Sequence, residues 1–280
     1  MFNKNMLRGL QALLICAFTA GGFAAQAADK PFEPYSGQPG KDVVWVPTAQ
    51  PMVNKMLDLA QVKAGDVHFD LGSGDGRTVI TATKRGAKST GIEYNPDMVE
   101  LSKANAAKEG VPGAVFMKAD LFETDFSHAT VVTLFLLPDI NLKLRPKILD
   151  MKPGTRIVSN TFTMGEWKAD DSASVEENQG CSYYCTALLW IVPAKVAGNW
   201  QIGQGELTLT QEFQMLGGSL KVGDKSVPLR DGRMRGDVIH FNAGGTDYAG
   251  RVTGNTMSGT IGGASGGTWT ATRGGKPAAK

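Results

Sequence analysis

Two textures of apolar spacing divide this chain. From about residue 41 to 193, compact apolar runs alternate with helix-like stretches, the pattern of a parallel α/β sheet. Val67 to Leu71 predicts a first strand, and Thr78 to Lys84 begins a helix. Ser89 to Tyr94 predicts a second strand. Pro96 to Lys108 predicts a helix, with Asn95 as its cap and Gly110 as its stop. Ala114 to Lys118 gives a third strand. The apolar run Val131 to Leu137 suits a strand buried on both faces. Leu142 to Leu149 predicts a helix that Pro146 either kinks or opens. Thr155 to Phe162 and Thr186 to Val192 complete the strands.

Beyond Pro193 the texture changes. Glu206 to Phe213 alternates apolar and polar positions, the period of a half-buried strand. Strand-like pieces recur near Gly218 to Val222, Val227 to Leu229, Val238 to Phe241, Tyr248 to Val252, Thr256 to Ile261 and Thr268 to Thr272. Gly-Asp, Asp-Gly, Gly-Gly and Gly-Asn pairs punctuate them as turns. This predicts a small antiparallel meander, closed or nearly closed into a barrel. Trp200, Leu207, Leu209, Phe213, Phe241, Tyr248 and Trp269 are its expected filling. So small a barrel leaves little room for a large ligand, so a packed structural or protein-binding module is expected.

Composition narrows the classes. The 280 residues carry 29 Lys and Arg against 27 Asp and Glu. Lys4 and Arg8 account for the excess, so the remainder is neutral. A neutral body argues against a nucleic-acid binder, which needs a concentrated basic field. Residues 1–27 have the three parts of a secretory signal: a basic start, the apolar run from Leu10 to Phe18, and small residues at Ala25 and Ala27. The run is short for a membrane span. The expectation is a cleaved signal, a mature start near Ala28, a periplasmic or secreted location, and no stable membrane span.

The stretch Asp70-Leu71-Gly72-Ser73-Gly74-Asp75-Gly76-Arg77 follows a strand and opens a helix. Glycines at such a turn let the backbone approach a ligand and adopt positive φ. Glu93 ends the second strand, and Asp120 follows the third. "DLGSGDGR", "GIEYNP" and "ADLF" together resemble motifs of the class I S-adenosylmethionine-dependent methyltransferases. With "VPT" at Val46 to Thr48 and "DLFETDFS" from Asp120, the chain is similar to the small protein-lysine methyltransferase family that includes the enzyme modifying the c-subunit of mitochondrial ATP synthase. Two features depart from that family: the export signal and the added β module.

The resemblance implies a Rossmann-like α/β sheet, mostly parallel with its last strand antiparallel, over residues 44–193. A linker (28–43) precedes it; the β-barrel-like module (195–273) and a tail (274–280) follow. It implies S-adenosyl-L-methionine as cofactor and a protein lysine as substrate. Gly72, Ser73, Gly74 and Gly76 are expected to contact the donor through their backbone. Asp70 would hold its amino group, Glu93 the ribose and Asp120 the adenine. Tyr94 would cover a ring face, and Thr48 would close the pocket. Asp139, with Asn141 nearby, would accept the proton of the acceptor amine or orient it; the alternative is that Asp139 caps the helix near Ile140.

Several residues carry two readings. Arg77 is expected to cover the first helix. Trp167 either lines an acceptor slot or caps the core. His68 reads as packing, and no Cys/His spacing suggests a metal. Cys181 and Cys185 would stand about 13 Å apart in a strand, out of disulfide reach, whereas a turn through Ser182 to Tyr184 would bring them together. An exported binding protein that keeps the fold without turnover is the competing function. A nicotinamide enzyme is disfavoured by the glycine spacing and Asp120.

Overall fold

The computed structural model describes residues 32–263 and 266–274. The segment read as a signal, residues 1–27, and the tail beyond residue 274 lie outside these. Seven strands form one sheet in the order β3-β2-β1-β4-β5-β7-β6. They are β1 (Val67–Leu71), β2 (Lys88–Glu93), β3 (Val115–Lys118), β4 (Val131–Leu134), β5 (Arg156–Asn160), β6 (Asp171–Ser174) and β7 (Thr186–Ile191). The first five pair in parallel, and β7 runs antiparallel to β5 and β6. Four helices accompany them: α1 (Gln50–Leu59), α2 (Arg77–Lys84), α3 (Pro96–Lys108) and α4 (Pro138–Leu149). The Asn95 side chain caps α3 by accepting from the Asp97 N–H at 2.9 Å.

The central strands are apolar because both faces are covered: all four residues of β4 are buried. Four elements differ from the sequence expectation, one of them α1, where no element is predicted. β4 stops at Leu134, because Pro138 opens α4 and Phe135 to Leu137 become the connecting loop. α4 therefore begins four residues early and carries Pro146 inside it. β6 is an added edge strand of exposed or half-buried residues, Asp-Ser-Ala-Ser.

The second half, from β8 (Gly198–Ile202) to β15 (Gly267–Arg273), is a closed eight-stranded antiparallel barrel in meander order. Trp200, Leu207, Leu209, Ile239, Phe241, Met257 and Trp269 fill its interior. Gly218, at φ +124°, lets β10 (Met215–Val222) bulge: a Cβ there would lie 1.9 Å from the Thr208 carbonyl oxygen. Phe213 leaves the barrel to stack on Trp167, ring centres 6.1 Å apart. Trp167 is fully buried against Trp190 as well, so it is a core residue and lines no acceptor slot.

Candidate active site

The loop between β1 and α2 is tied down from several sides. The Gly72 and Ser73 N–H groups both donate to the Ile92 carbonyl, at 2.8 and 3.0 Å. Gly74 N–H donates to Glu93 Oε2 at 3.0 Å, and Asn95 N–H to Glu93 Oε1 at 2.9 Å. Ser102 and Asn105 of α3 donate to the Gly74 and Asp75 carbonyls. The result is a fixed carboxylate fork at the rim of a cavity lined by Asp70, Gly72 to Asp75, Glu93, Tyr94 and Asp120. Gly72 and Gly74 have positive φ, and a Cβ on Gly74 would lie 2.5 Å from the Trp45 indole nitrogen. Gly76 stands outside the lining; it turns the chain into α2.

Beneath the loop runs a buried polar chain. Thr133 donates to Asp70 Oδ1 at 2.6 Å, so its oxygen receives the His68 Nε2–H at 2.8 Å. Burial pushes the Asp70 carboxyl up to about 7 and the His68 imidazole down to about 3. His68 is thus a neutral partner in this chain, beyond the packing expected of it.

On the far side, Phe122 N–H donates to Asp120 Oδ1, and the Lys41 ammonium reaches Asp120 Oδ2 at 2.5 Å while lying over the Tyr94 ring. That hydrogen bond holds the Asp120 carboxyl below the usual carboxylate range. Arg77 does more than cover a helix: it pairs with Asp75 and donates to the Thr48 carbonyl at 2.7 Å, tying the chain before α1 to the glycine loop.

The residues 38–48, placed by sequence partly in a linker and partly in the domain, line the cavity. Gly37 and Trp45, and Trp45 and Gln38, exchange backbone hydrogen bonds, and Gln38 reaches Met98. Gly and Pro punctuation without periodicity gave no element signal here. A second group, Phe135, Phe162 and Tyr184, also lines the cavity, with ring centres 5.2 to 5.9 Å apart. They sit after β4, after β5 and before β7, on one edge of the sheet. Only their positions beside strand ends signal them in sequence. Asp139 and Asn141 are not in the lining. Asp139 is exposed in the first turn of α4, where the cap residue is Leu137. Asn141 is buried and donates to the Phe162 and Thr163 carbonyls, bracing the loop that carries Phe162. No group of three metal-ligating side chains occurs among the described residues.

A protein-lysine N-methyltransferase of Saccharolobus islandicus (strain REY15A) is 43% identical over 139 residues, which are 48% of this chain and 86% of that protein. The chain belongs to the protein-lysine methyltransferase family. A family model for the ANTKMT methyltransferase domain matches residues 70–171. The human ATP synthase c-subunit lysine N-methyltransferase is 33% identical over 128 residues, 45% of this chain and 54% of its own length. This chain thus spans about half of that relative. A solved RNA methyltransferase from Salinibacter ruber, in complex with S-adenosyl-L-homocysteine, aligns at TM-score 0.50 and 46% identity over 54% of this chain and 96% of that one.

S-Adenosylmethionine is the cofactor, and the site fits it. A buried carboxyl (Asp70), an oriented carboxylate fork (Glu93) and the buried Ser73 hydroxyl, which has no partner among the described residues, surround a cradle that side chains on Gly72 and Gly74 would fill. A methionine ammonium, a ribose diol and an adenine amine need acceptors of this kind.

Proposed function

We propose that this chain is an exported methyltransferase that transfers the methyl group of S-adenosylmethionine to the ε-amine of a lysine in a protein. The observation that carries this reading is the Glu93 fork on the glycine loop, sharing one cavity with an aromatic edge at the carboxyl ends of the strands. When bound, the cofactor supplies an electrophilic methyl group. The chain's own residues bind, align and exclude water. Asp70 would hold the donor ammonium, Glu93 the ribose hydroxyls and Asp120 the adenine edge, once Lys41 yields it. Tyr94 and Thr48 would close over the pocket.

The acceptor ammonium must lose a proton before its nitrogen can attack. Asp70, Asp75 and Glu93 lie at the glycine loop and Asp120 beside Tyr94, whereas Asp139 is exposed and outside the lining. The proton is therefore proposed to leave to solvent at the mouth, with Asp139 able to orient the incoming amine from outside. The neutral charge balance of the body favours a protein acceptor over RNA. The Cys181–Cys185 disulfide supports an oxidising location, in keeping with the signal. No helix among the described residues is long and apolar enough to cross a membrane.

The test is transfer of radiolabelled methyl groups by the full-length protein into cell-envelope extract, followed by mass spectrometry. Methyl-lysine in protein is the expected product. Label confined to RNA, or none incorporated, would overturn the reading.

A further inference from the structure

Tyr184 is an unusual residue to find against the aromatic edge. It is a non-glycine residue in left-handed backbone, at φ 57°. Thr161, just before Phe162, is another, at φ 62°. A β-branched or bulky side chain rarely adopts this conformation, and such residues gather where a site needs a side chain aimed. Here they aim two of the three rings. Tyr184 remains 44% exposed although it contacts both phenyl rings. Its hydroxyl makes no hydrogen bond with another described residue, so the hydroxyl is not what holds it there.

The covalent frame does. Cys181 and Cys185 close a five-residue ring around Tyr184. Cys181 is buried in the cluster that includes Met52, Val53 and Val175. The Cys185 carbonyl accepts from Val175 N–H at 2.9 Å. One end of the ring is thus anchored in the core and the other in the strand connection, leaving Tyr184 directed at Phe135 and Phe162.

We propose that Tyr184 is a specificity-determining wall of the acceptor site, and that the Cys181–Cys185 disulfide holds it in place, so that recognition of the alkylammonium acceptor depends on thiol state while donor binding does not. This rests on the methyltransferase reading above and deepens it. Aromatic faces attract an alkylammonium through their quadrupole and pack its methylene stem. Asp70 accepts from Thr133, and Glu93 from Gly74 and Asn95; among the described residues no hydrogen bond joins these groups to residues 181–185.

The test uses the full-length protein and n-butylammonium as the probe, titrated by NMR with and without S-adenosylhomocysteine. Dithiothreitol reduces the bond: it gives up two electrons and two protons, closes its own disulfide, and leaves Cys181 and Cys185 as thiols. The oxidised protein is expected to bind the probe saturably. Tyr184→Ala and reduction are each expected to weaken it by ~5–10-fold, on the scale of a lost cation–π contact. Tyr184→Phe should restore binding, since the ring face and not the hydroxyl is used. Reduction of Tyr184→Ala should cause no further loss. S-Adenosylhomocysteine affinity should stay within about twofold throughout, which separates this role from a general loss of fold. The Cys181→Ser/Cys185→Ser variant, if it folds, should match the reduced protein. Probe affinity unchanged by Tyr184→Ala or by reduction would overturn the proposal, as would absence of saturable binding to the oxidised protein. Failure of S-adenosylhomocysteine to bind would instead overturn the donor-site reading, while the titration without it still decides the role of Tyr184.

Discussion

Glu93 accepts from two backbone N–H groups, and each oxygen still has a lone pair to offer. Glu93→Ala should therefore weaken donor binding by ~1–3 kcal/mol through lost charged hydrogen bonds, read by calorimetry with S-adenosylhomocysteine. Unchanged affinity would remove Glu93 from the site. Asp70 makes a prediction about pH. Its carboxyl is raised to about 7, so in the native protein it keeps a proton that the unfolded chain has already lost. Its contribution to stability is full below the unfolded value, near 4, and is lost as pH rises through about 7. At ~1.4 kcal/mol per unit the effect reaches a few kcal/mol. Ligand-free Asp70→Asn should show a flatter dependence of melting temperature on pH between roughly 4 and 7, yet bind S-adenosylhomocysteine more weakly. A wild-type slope retained in the variant would assign that dependence elsewhere. These residues were legible because glycine loop and carboxylates fall in order along consecutive strands. The aromatic edge was not, since Phe135, Phe162 and Tyr184 meet only when β4, β5 and β7 pair.

Among the elements, α2 depends on a residue with no side chain. Gly76 caps it in left-handed backbone, and a Cβ there would lie 2.7 Å from the Phe116 ring and 2.9 Å from Ser102 Cβ. Neither neighbour can retreat, because Phe116 is packed between helices and Ser102 is bonded to Gly74. Gly76→Ala should destabilise the protein by ~2–4 kcal/mol, from backbone and overpacking together, and lower its melting temperature. An unchanged melt would mean that the loop shifts freely. The elements that sequence reading found are those with strong apolar periods or a cap-and-stop pair, such as α3. It missed β6, which is polar and pairs only as an edge. It also missed α1, whose Ala49 cap makes no side-chain hydrogen bond, so that Pro51 in its first turn is the one start signal. That helix is recognisable afterwards by Met52, Val53, Met56 and Leu57, which lie on one face and are buried.

At the scale of the molecule, the barrel and the sheet are joined by a small, specific contact. Asp170 has no exposed side-chain surface; it accepts from Ile191 N–H at 2.8 Å and from Arg233 of the barrel at 2.7 Å. Gln214 adds a hydrogen bond to the Lys168 carbonyl, and Phe213 lies between Trp167 and the Arg145 guanidinium. Yet among the described residues none beyond Tyr184 lines the cavity. The barrel therefore influences donor binding only through the stability of the whole. Arg233→Ala leaves one oxygen of a buried carboxylate without its cation, a loss of ~1–3 kcal/mol once the partial exposure of Arg233 is allowed for. Asp170→Asn in the same chain should recover part of it, because a neutral amide needs no counter-charge. Loosened docking should expose the connection through Lys195, whose backbone carbonyl is held by Arg273 and whose ammonium pairs with Asp150. Trypsin should then cut after Lys195 faster in Arg233→Ala than in the wild type, and more slowly again in the double variant. S-Adenosylhomocysteine affinity should remain within about twofold in all three. A fall in donor affinity with no change in cleavage would mean that the barrel reaches the cavity through a route other than this contact.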